Sequence, residues 1–462
     1  MPRNHHRNHL NLNLISLSLF LLSTLLISTT PSAQASIFHR TPTRHHNRHT
    51  PYHTYNYKSA NTNDTELFSS TFTSTHLLQL RNETANLFQY AWSNYLTKGF
   101  PYDEIKPIQC KPNQPDFEDI ENKVRNDVMG NYSVTLIDNL DTLAIMRNHT
   151  GFKEAVELVR STYTDFAIDT NVQVFEANIR VLGGLLSAHL YASDDRFGMV
   201  IDGYDGFLLR LAYDMGQRLI LAFGNPDSDI PYPRVNLKNG PSGLPDSLMN
   251  AQCTAGVTSL ILEFGLLSRL SGDSIFEDVT KDIGRKVWGM RSKLNLLPMT
   301  IDIRSGQHVD KFTGVGASID SFYEYLLKYA VLFNDDEFMT MWHDSYRALL
   351  THSQDSFGSF LNIHVATGVQ VTEWIDSLAA FFPGLQVLAG DIPNAQLNHL
   401  LTLKLWNYYG SVPERWNFDG QRSLRFFQHL DRPYREGDLA DGFDKETTDQ
   451  LLFKNSIGLE WP

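Results

Sequence analysis

The chain has 462 residues, 42% of them hydrophobic and 12% aromatic, the composition of a globular protein able to build a large core. Its formal charge of -13, from 52 acidic against 39 basic residues, argues against a nucleic-acid polyanion as the main partner and leaves neutral or cationic ligands open. Beyond the first 35 residues no stretch reaches the roughly 18 apolar residues of a membrane span.

Residues 1–35 read as a secretory signal peptide. "MPRNHHRNHL" is its basic or titratable start, "LISLSLFLLSTLLIS" its apolar centre and Ala33, Gln34 and Ala35 its small-residue cleavage site. Left uncleaved, the same segment is a signal anchor and the sequence's one route to a membrane. Residues 36–75 are rich in His, Thr, Asn and Ser without an apolar period, and read as a disordered spacer. Sequons at Asn63, Asn82, Asn131 and Asn148 agree with a secretory lumen. Two cysteines, Cys110 and Cys253, exclude a disulfide scaffold and leave either one bridge or two free buried thiols.

From residue 76 to 415 the chain reads as one helical domain, and 416–462 as an atypical polar segment. Periodicity and breakers place helices at 77–97, 118–129, 133–147, 152–162, 172–192, 205–223, 252–270, 274–293, 316–333, 336–351, 371–390 and 394–409. There is no alternation of strand and helix, so the fold class is all-α rather than α/β. "LLPMTIDIRSGQHV" and "SFLNIHVATGVQVT" read as short β-hairpin excursions, each following a pair of helices. A repeated unit of helix, helix and excursion without a short sequence period points to a closed ring of helix pairs rather than a solenoid.

Charge is oddly sparse on the apolar helices. In 172–192 only Glu176 and Arg180 are formally charged, stacked four residues apart with Gly183 on the same stripe. A surface helix carries more charge, so a buried or pocket-facing pair is favoured over an exposed ion pair. The pattern recurs with Asp138 and Asp141, with Glu263 alone, with the like-charged Asp320 and Glu324, and with Glu373 and Asp376. For Asp141 and Asp376, a helix cap or a satisfied core hydrogen bond is an equal reading. In a ring, these carboxylates would surround one lumen, with Phe175, Phe322, Tyr323, Trp374 and Phe381 among them. Such a lumen suits a sugar: carboxylates accept hydroxyl hydrogen bonds, aromatic faces cover ring carbons, and paired acids can divide acid and base work. No phosphate-binding loop, nucleophile elbow or zinc helix occurs.

At these residues the chain resembles glycoside hydrolase family 47, the class I α-1,2-mannosidases, and within it the endoplasmic reticulum (ER) degradation-enhancing α-mannosidase-like group. The matching stretches run in order from "AWSNYLTKGFPYDEIKPIQC" through "SVTLIDNLDTLAIM", "VFEANIRVLGGLLSAHL", "PYPRVNL", "QCTAGVTSLILEFGLLSRLSGD" and "GVGASIDSFYEYLLKYA" to "WIDSLAAFFPGLQVLAGD". The resemblance implies an (α/α)7 barrel, ER-luminal residence and inverting removal of terminal α-1,2-linked mannose from high-mannose N-glycans, with a Ca2+ ion at the pocket base. It implies Glu176 as general acid, Asp320 as a second essential carboxylate, and Arg180 and Glu263 as pocket residues. Asp138 and Asp376 complete the candidate substrate-binding set, and a luminal oxidoreductase is an implied partner. The sequence departs from the pattern late: neither the "R-P-E-x-x-E-S" motif expected to bring the base nor the later calcium-binding threonine is present, and Glu436 in "DRPYREGD" sits in different surroundings. The expectation is therefore a barrel incomplete at its C-terminal end, with apolar flanks exposed at both open edges. Glycan binding without turnover is the rival reading.

Overall fold

The structure, a computed structural model, describes residues 73–417. The signal segment, the spacer up to residue 72 with Asn63, and residues 418–462 with Glu436 lie outside the described residues.

The described chain is helical with ten strands of two or three residues. Helix α1 (Ser74–Lys98) leads to a hairpin of β1 (Glu104–Lys106) and β2 (Lys111–Asn113). The expected helix at 118–129 shrinks to one turn, α2 (Lys123–Asn126). The Asp116 carboxylate accepts the backbone N–H groups of Glu118 and Asp119, and such side-chain capture competes with a helical ladder. The helix expected at 133–147 breaks at Asn139 into α3 (Val134–Asp138) and α4 (Leu140–Ile145), which pack with α5 (His149–Thr162).

Four equivalent units follow, each a short strand, an inner helix, an outer helix and a return strand pairing antiparallel with the first. In the first, β3 (Asn171–Gln173) runs into residues 174–193, made of α6 (Val174–Glu176), a π helix (Ala177–Leu182) and α7 (Gly183–Ser193), then α8 (Phe207–Leu219), and β4 (Arg234–Asn236) returns to β3. In the second, β5 (Ala251–Cys253) precedes α9 (Thr254–Thr258), α10 (Ile261–Ser271) and α11 (Ile275–Gly289), and β6 (Thr300–Asp302) closes the unit. The third runs from β7 (Phe312–Thr313) through α12 (Asp320–Phe333) and α13 (Asp336–His352) to β8 (Ile363–His364). The fourth runs from β9 (Trp374–Asp376) through a 3₁₀ turn (Ser377–Phe381), α14 (Phe382–Leu388) and α15 (Ile392–Tyr409) to β10 (Arg415–Asn417). Both expected hairpins exist as single bridges, Ile301 to His308 and Ile363 to Gln370, with Gly306 and Gly368 at positive φ in their turns. Their first strands also close the preceding helix pair, which local patterning does not reveal.

The first helix of each unit packs on the first helix of the next. The inner helix at Gly183–Ser193 is apolar nearly all round, whereas outer α8 has one buried face of Phe207, Leu208, Leu211, Ala212, Met215 and Leu219. The core forms two large clusters, one from Trp92 to Phe276 and the other from Ile230 to Leu385. At the two ends of the described chain large apolar side chains are exposed: Leu77, Leu78, Leu87 and Tyr90 on α1, and Leu378, Val387, Ile392, Leu403 and Trp406 in the fourth unit.

Candidate active site

The inner segment 174–193 is not one regular helix. Gln173 Oε1 accepts the N–H of Glu176 at 3.1 Å and caps the first turn, after which Ala177–Leu182 winds as a π helix before α geometry resumes at Gly183. Such insertions recur at functional sites. Here the polar groups of "VFEANIR" go to two sides. On one side Arg180 Nε donates to Glu176 Oε2 at 2.7 Å, and its Nη1 reaches Asp138 Oδ2 on α3 at 3.3 Å. On the other, buried Asn178 donates from Nδ2 to Glu263 Oε2 on α10 at 2.8 Å.

The glycine pair has unequal duties. A Cβ on Gly184 would lie 2.6 Å from the Ile137 carbonyl oxygen, so only glycine lets this helix approach α3. A Cβ on Gly183 would make ordinary contacts at 3.6 Å with Asn178 O and Glu263 Cγ. Close packing therefore requires a glycine at 184 and not at 183.

Burial opposes the Arg180 charge, yet the carboxylates of Glu176 and Asp138 beside it hold its pKa above the ordinary guanidinium value. Burial raises Asp138, with Arg180 pulling the other way. Asp141, in the first turn of α4, is pushed up to about 6 by burial and by the Asp138 charge, with Ser187 Oγ 3.4 Å away. Glu263 is pushed up to about 7 by burial, opposed by donors on both oxygens, Tyr325 Oη to Oε1 at 2.8 Å and Asn178 to Oε2. Asp320 opens α12, and burial carries it up to about 6; the N–H of Ser321 opposes the shift and the charges of Asp376 and Glu324 add to it.

Asp376 ends β9 as the cap of the following turn. It accepts the N–H of Leu378 at 3.0 Å and that of Ala317, on the approach to α12, at 3.2 Å. A Cβ on Gly316 would fall 2.2 Å from its Oδ2, so the carboxylate is seated against backbone. The capping reading thus fits Asp376, and its helix begins later than expected because the preceding three residues are strand. Glu373 is exposed, and Glu324 pairs with Lys328, so neither adds a free carboxylate. Two of the expected lumen aromatics belong to the core: Phe322 and Tyr323 are 2% and 1% exposed, stacked edge to face on each other between helices. Phe175 and Phe381 pack partly buried against the two core clusters, and the Arg415 guanidinium lies 3.9 Å over the Trp374 ring.

Sequence patterning missed two residues. Cys253, weighed only for a disulfide, is a partly buried free thiol at the β5–α9 junction, where its Sγ accepts the N–H of Gly256 at 3.2 Å. Burial pushes it up to about 11, and the charges of Asp320 and Glu176 both add to that rise. Cys110 is exposed and free. Asp103 is fully buried and accepts backbone N–H groups of Asn131 (2.7 Å), Tyr132 (3.0 Å) and Val134 (3.1 Å), fixing the entry to α3 and hence Asp138. Its signal was hidden among the other charges of "YDEIK". Of the described sequons, Asn82 and Asn131 are exposed, while Asn148 caps α5 by accepting the N–H of Gly151 at 2.9 Å.

Carboxylates at or near the starts of inner helices, in a succession of helix pairs, define the class: an α/α barrel-type fold. The chain belongs to glycosyl hydrolase family 47, whose sequence model matches residues 87–448. It is 46% identical over 352 residues to ER degradation-enhancing alpha-mannosidase-like protein 1 of Saccharomyces cerevisiae, covering 75% of this chain and 44% of that protein. It is 40% identical to an alpha-mannosidase I of Arabidopsis thaliana, covering 73% of this chain and 51% of that one. The chain spans about half the length of these curated relatives. The solved alpha-1,2-mannosidase from Trichoderma reesei superposes with a TM-score of 0.60 at 20% identity over 73% of this chain and 70% of that one, which shows the shared (α/α)7 barrel fold.

Family membership is consistent with a calcium-dependent mannosidase. Among the described residues, however, no three His, Cys, Asp or Glu side chains come together to hold a metal ion, and Asp376, the carboxylate seated most firmly, has its oxygens occupied by N–H groups. The described residues therefore do not form the Ca2+ site, and no step below runs through a metal.

Proposed function

We propose that this chain recognises terminal α-1,2-linked mannose on high-mannose N-glycans of glycoproteins in the ER lumen, and hydrolyses it with Glu176 and Asp320 as the reacting carboxyl groups. The observation that carries this reading is the contrast between the two. Glu176 accepts from the Arg180 guanidinium at 2.7 Å, while Asp320 sits where burial and two neighbouring acids favour the proton. Two carboxyl groups with such different partners are suited to divide the work on one glycosidic bond. The resemblance gives Glu176 the proton-donor role and makes Asp320, where burial favours the proton, the second essential carboxyl group. Arg180, Asp138 and Glu263 offer hydrogen bonds to sugar hydroxyls, and Asp376 acts indirectly by capping the turn beside Asp320. Residues 1–35 as a signal peptide, the Ca2+ ion that the resemblance implies, and a luminal oxidoreductase partner belong to the same proposal.

A second reading is glycan binding without turnover, for which carboxyl groups that accept hydroxyl hydrogen bonds, Asp138 and Glu263 among them, are sufficient. Incubating the full chain with a high-mannose N-glycan and calcium separates the two. Mannose release abolished by Glu176→Gln supports hydrolysis. Binding with no release at any protein concentration supports recognition alone, and neither binding nor release refutes both.

A further inference from the structure

The π helix at Ala177–Leu182 sends Arg180 and Asn178 to opposite sides, and the reading above gives Asn178 no part. The Asn178 side makes a separate device. Glu263, one turn into α10, receives one donor on each carboxylate oxygen, and the donors come from the inner helices on either side of it: Asn178 from residues 174–193 at 2.8 Å and Tyr325 from α12 at 2.8 Å. Three consecutive inner helices therefore meet at one carboxyl group. Tyr325 lies five residues after Asp320 on its helix, and Asn178 two after Glu176, so the same three-helix junction ties together the elements that carry both reacting carboxyl groups.

Both donors are positioned for little else. Asn178 is fully buried; its Nδ2 also reaches the Ser259 carbonyl at 3.3 Å, and its Oδ1 has no partner. An unpaired buried amide oxygen is costly, so the amide is held in this orientation for its donor end. Tyr325 is 8% exposed and its hydroxyl makes no other hydrogen bond among the described residues. Of the charged groups on these helices, Lys328 on α12 reaches Glu263 by its charge but is paired with Glu324, while Arg180 is engaged by Glu176 and Asp138.

We propose that Asn178 and Tyr325 are positioning residues that clamp Glu263 from both flanking helices, fixing the orientation of its carboxyl group and leaving its remaining lone pairs free to accept hydroxyl hydrogen bonds from a glycan. A carboxylate that takes donors on both oxygens is fixed in orientation and stabilised in its charged form. The clamp rests on the functional reading only for the identity of the glycan; the state of Glu263 can be read without it.

The test uses the full chain as wild type, Tyr325→Phe and Asn178→Ala. The readouts are the carboxyl 13C titration of Glu263, assigned by the resonance that Glu263→Gln removes, and the affinity for a high-mannose N-glycan across pH 5 to 8. Burial already favours the protonated form of Glu263, and each donor opposes it. Losing the Tyr325 hydroxyl, with the ring still packed, is expected to raise the Glu263 midpoint by about one pH unit and to move the acid edge of glycan binding upward with it. A purely structural role would weaken binding equally at every pH with the midpoint in place, and that result overturns the clamp. If Asn178→Ala fails to fold, Tyr325→Phe alone decides. Should the wild type bind no glycan, the functional reading fails while the Glu263 titration still supports or overturns the clamp.

Discussion

The inner segment of residues 174–193 and that of residues 377–388 hold equivalent places: each follows a three-residue strand paired to a return strand, and each begins beside a carboxylate. Their surroundings differ. The first is packed on both neighbours, and its Glu176 is held by a cationic side chain that also spans to Asp138. The second exposes Leu378 and Val387, and its Asp376 is held by backbone N–H groups. A place at the start of an inner helix therefore does not make a carboxylate a site residue; its partner does. A backbone-capped carboxylate is committed to the fold, whereas one that shares a guanidinium with a second acid can exchange that partner for a sugar.

The largest effect should separate these two carboxylates directly. Glu176→Gln is expected to lower mannose release by about 10²- to 10⁴-fold, the range for losing a positioned acid or base. Asp376→Asn keeps most capping geometry and should cost less than about 10-fold; equal losses measured in one release assay would erase the distinction.

The glycine pair offers a stability version of the same contrast. Gly184→Ala drives a Cβ into the Ile137 carbonyl and should cost about 1–3 kcal/mol in denaturant unfolding. Gly183→Ala meets only ordinary contacts and gains helix propensity, so it should lie within about 1 kcal/mol of wild type. Similar losses would show that the close approach of α3 is not fixed as described.

Much of the arrangement is legible in the sequence. The isolated charges of "VFEANIR" and "LILEFG" fall at the centre because uncharged flanks leave them nowhere else to go. Helix pairs and excursions follow from apolar period and from Gly and Pro. What could not be read is whatever depends on partners distant in sequence. A three-residue strand such as Asn171–Gln173 has no periodicity to display, and its mate lies 61 to 65 residues away. The π turn differs from an α turn by one residue of register, which the spacing of Glu176 and Arg180 does not reveal. Phe322 and Tyr323 look the same in sequence whether they line a lumen or fill a core.

Two pH experiments sharpen the comparison further. The folded state holds the Glu263 proton up to about 7, above its ordinary value of 4.5. Between those values the folded chain binds more protons than the unfolded one, so this group's contribution to stability falls as pH rises through the window and is fully lost above it. Glu263→Gln should flatten that slope, gaining on wild type by about 1–2 kcal/mol from pH 5 to pH 7.5 in urea titrations. A parallel pair of stability curves would contradict the burial assigned to this carboxyl. The smallest effect belongs to Asp376→Ala: loss of a cap worth about 1 kcal/mol, with a downward move of the Asp320 titration because one neighbouring negative charge is gone. An upward move would show that Asp376 acts on Asp320 by something other than its charge.

The central claim, that the junction of the inner helices is a site for terminal α-1,2-mannose, is tested most directly by calorimetric titration of the full chain. The two ligands are a high-mannose N-glycan and the same glycan stripped of its α-1,2-linked mannoses. The account predicts measurable binding of the first, at least about tenfold weaker binding of the second, and loss of the difference in Arg180→Met, where Glu176 and Asp138 are no longer held. Equal affinity for both glycans, or discrimination that survives Arg180→Met, would contradict it.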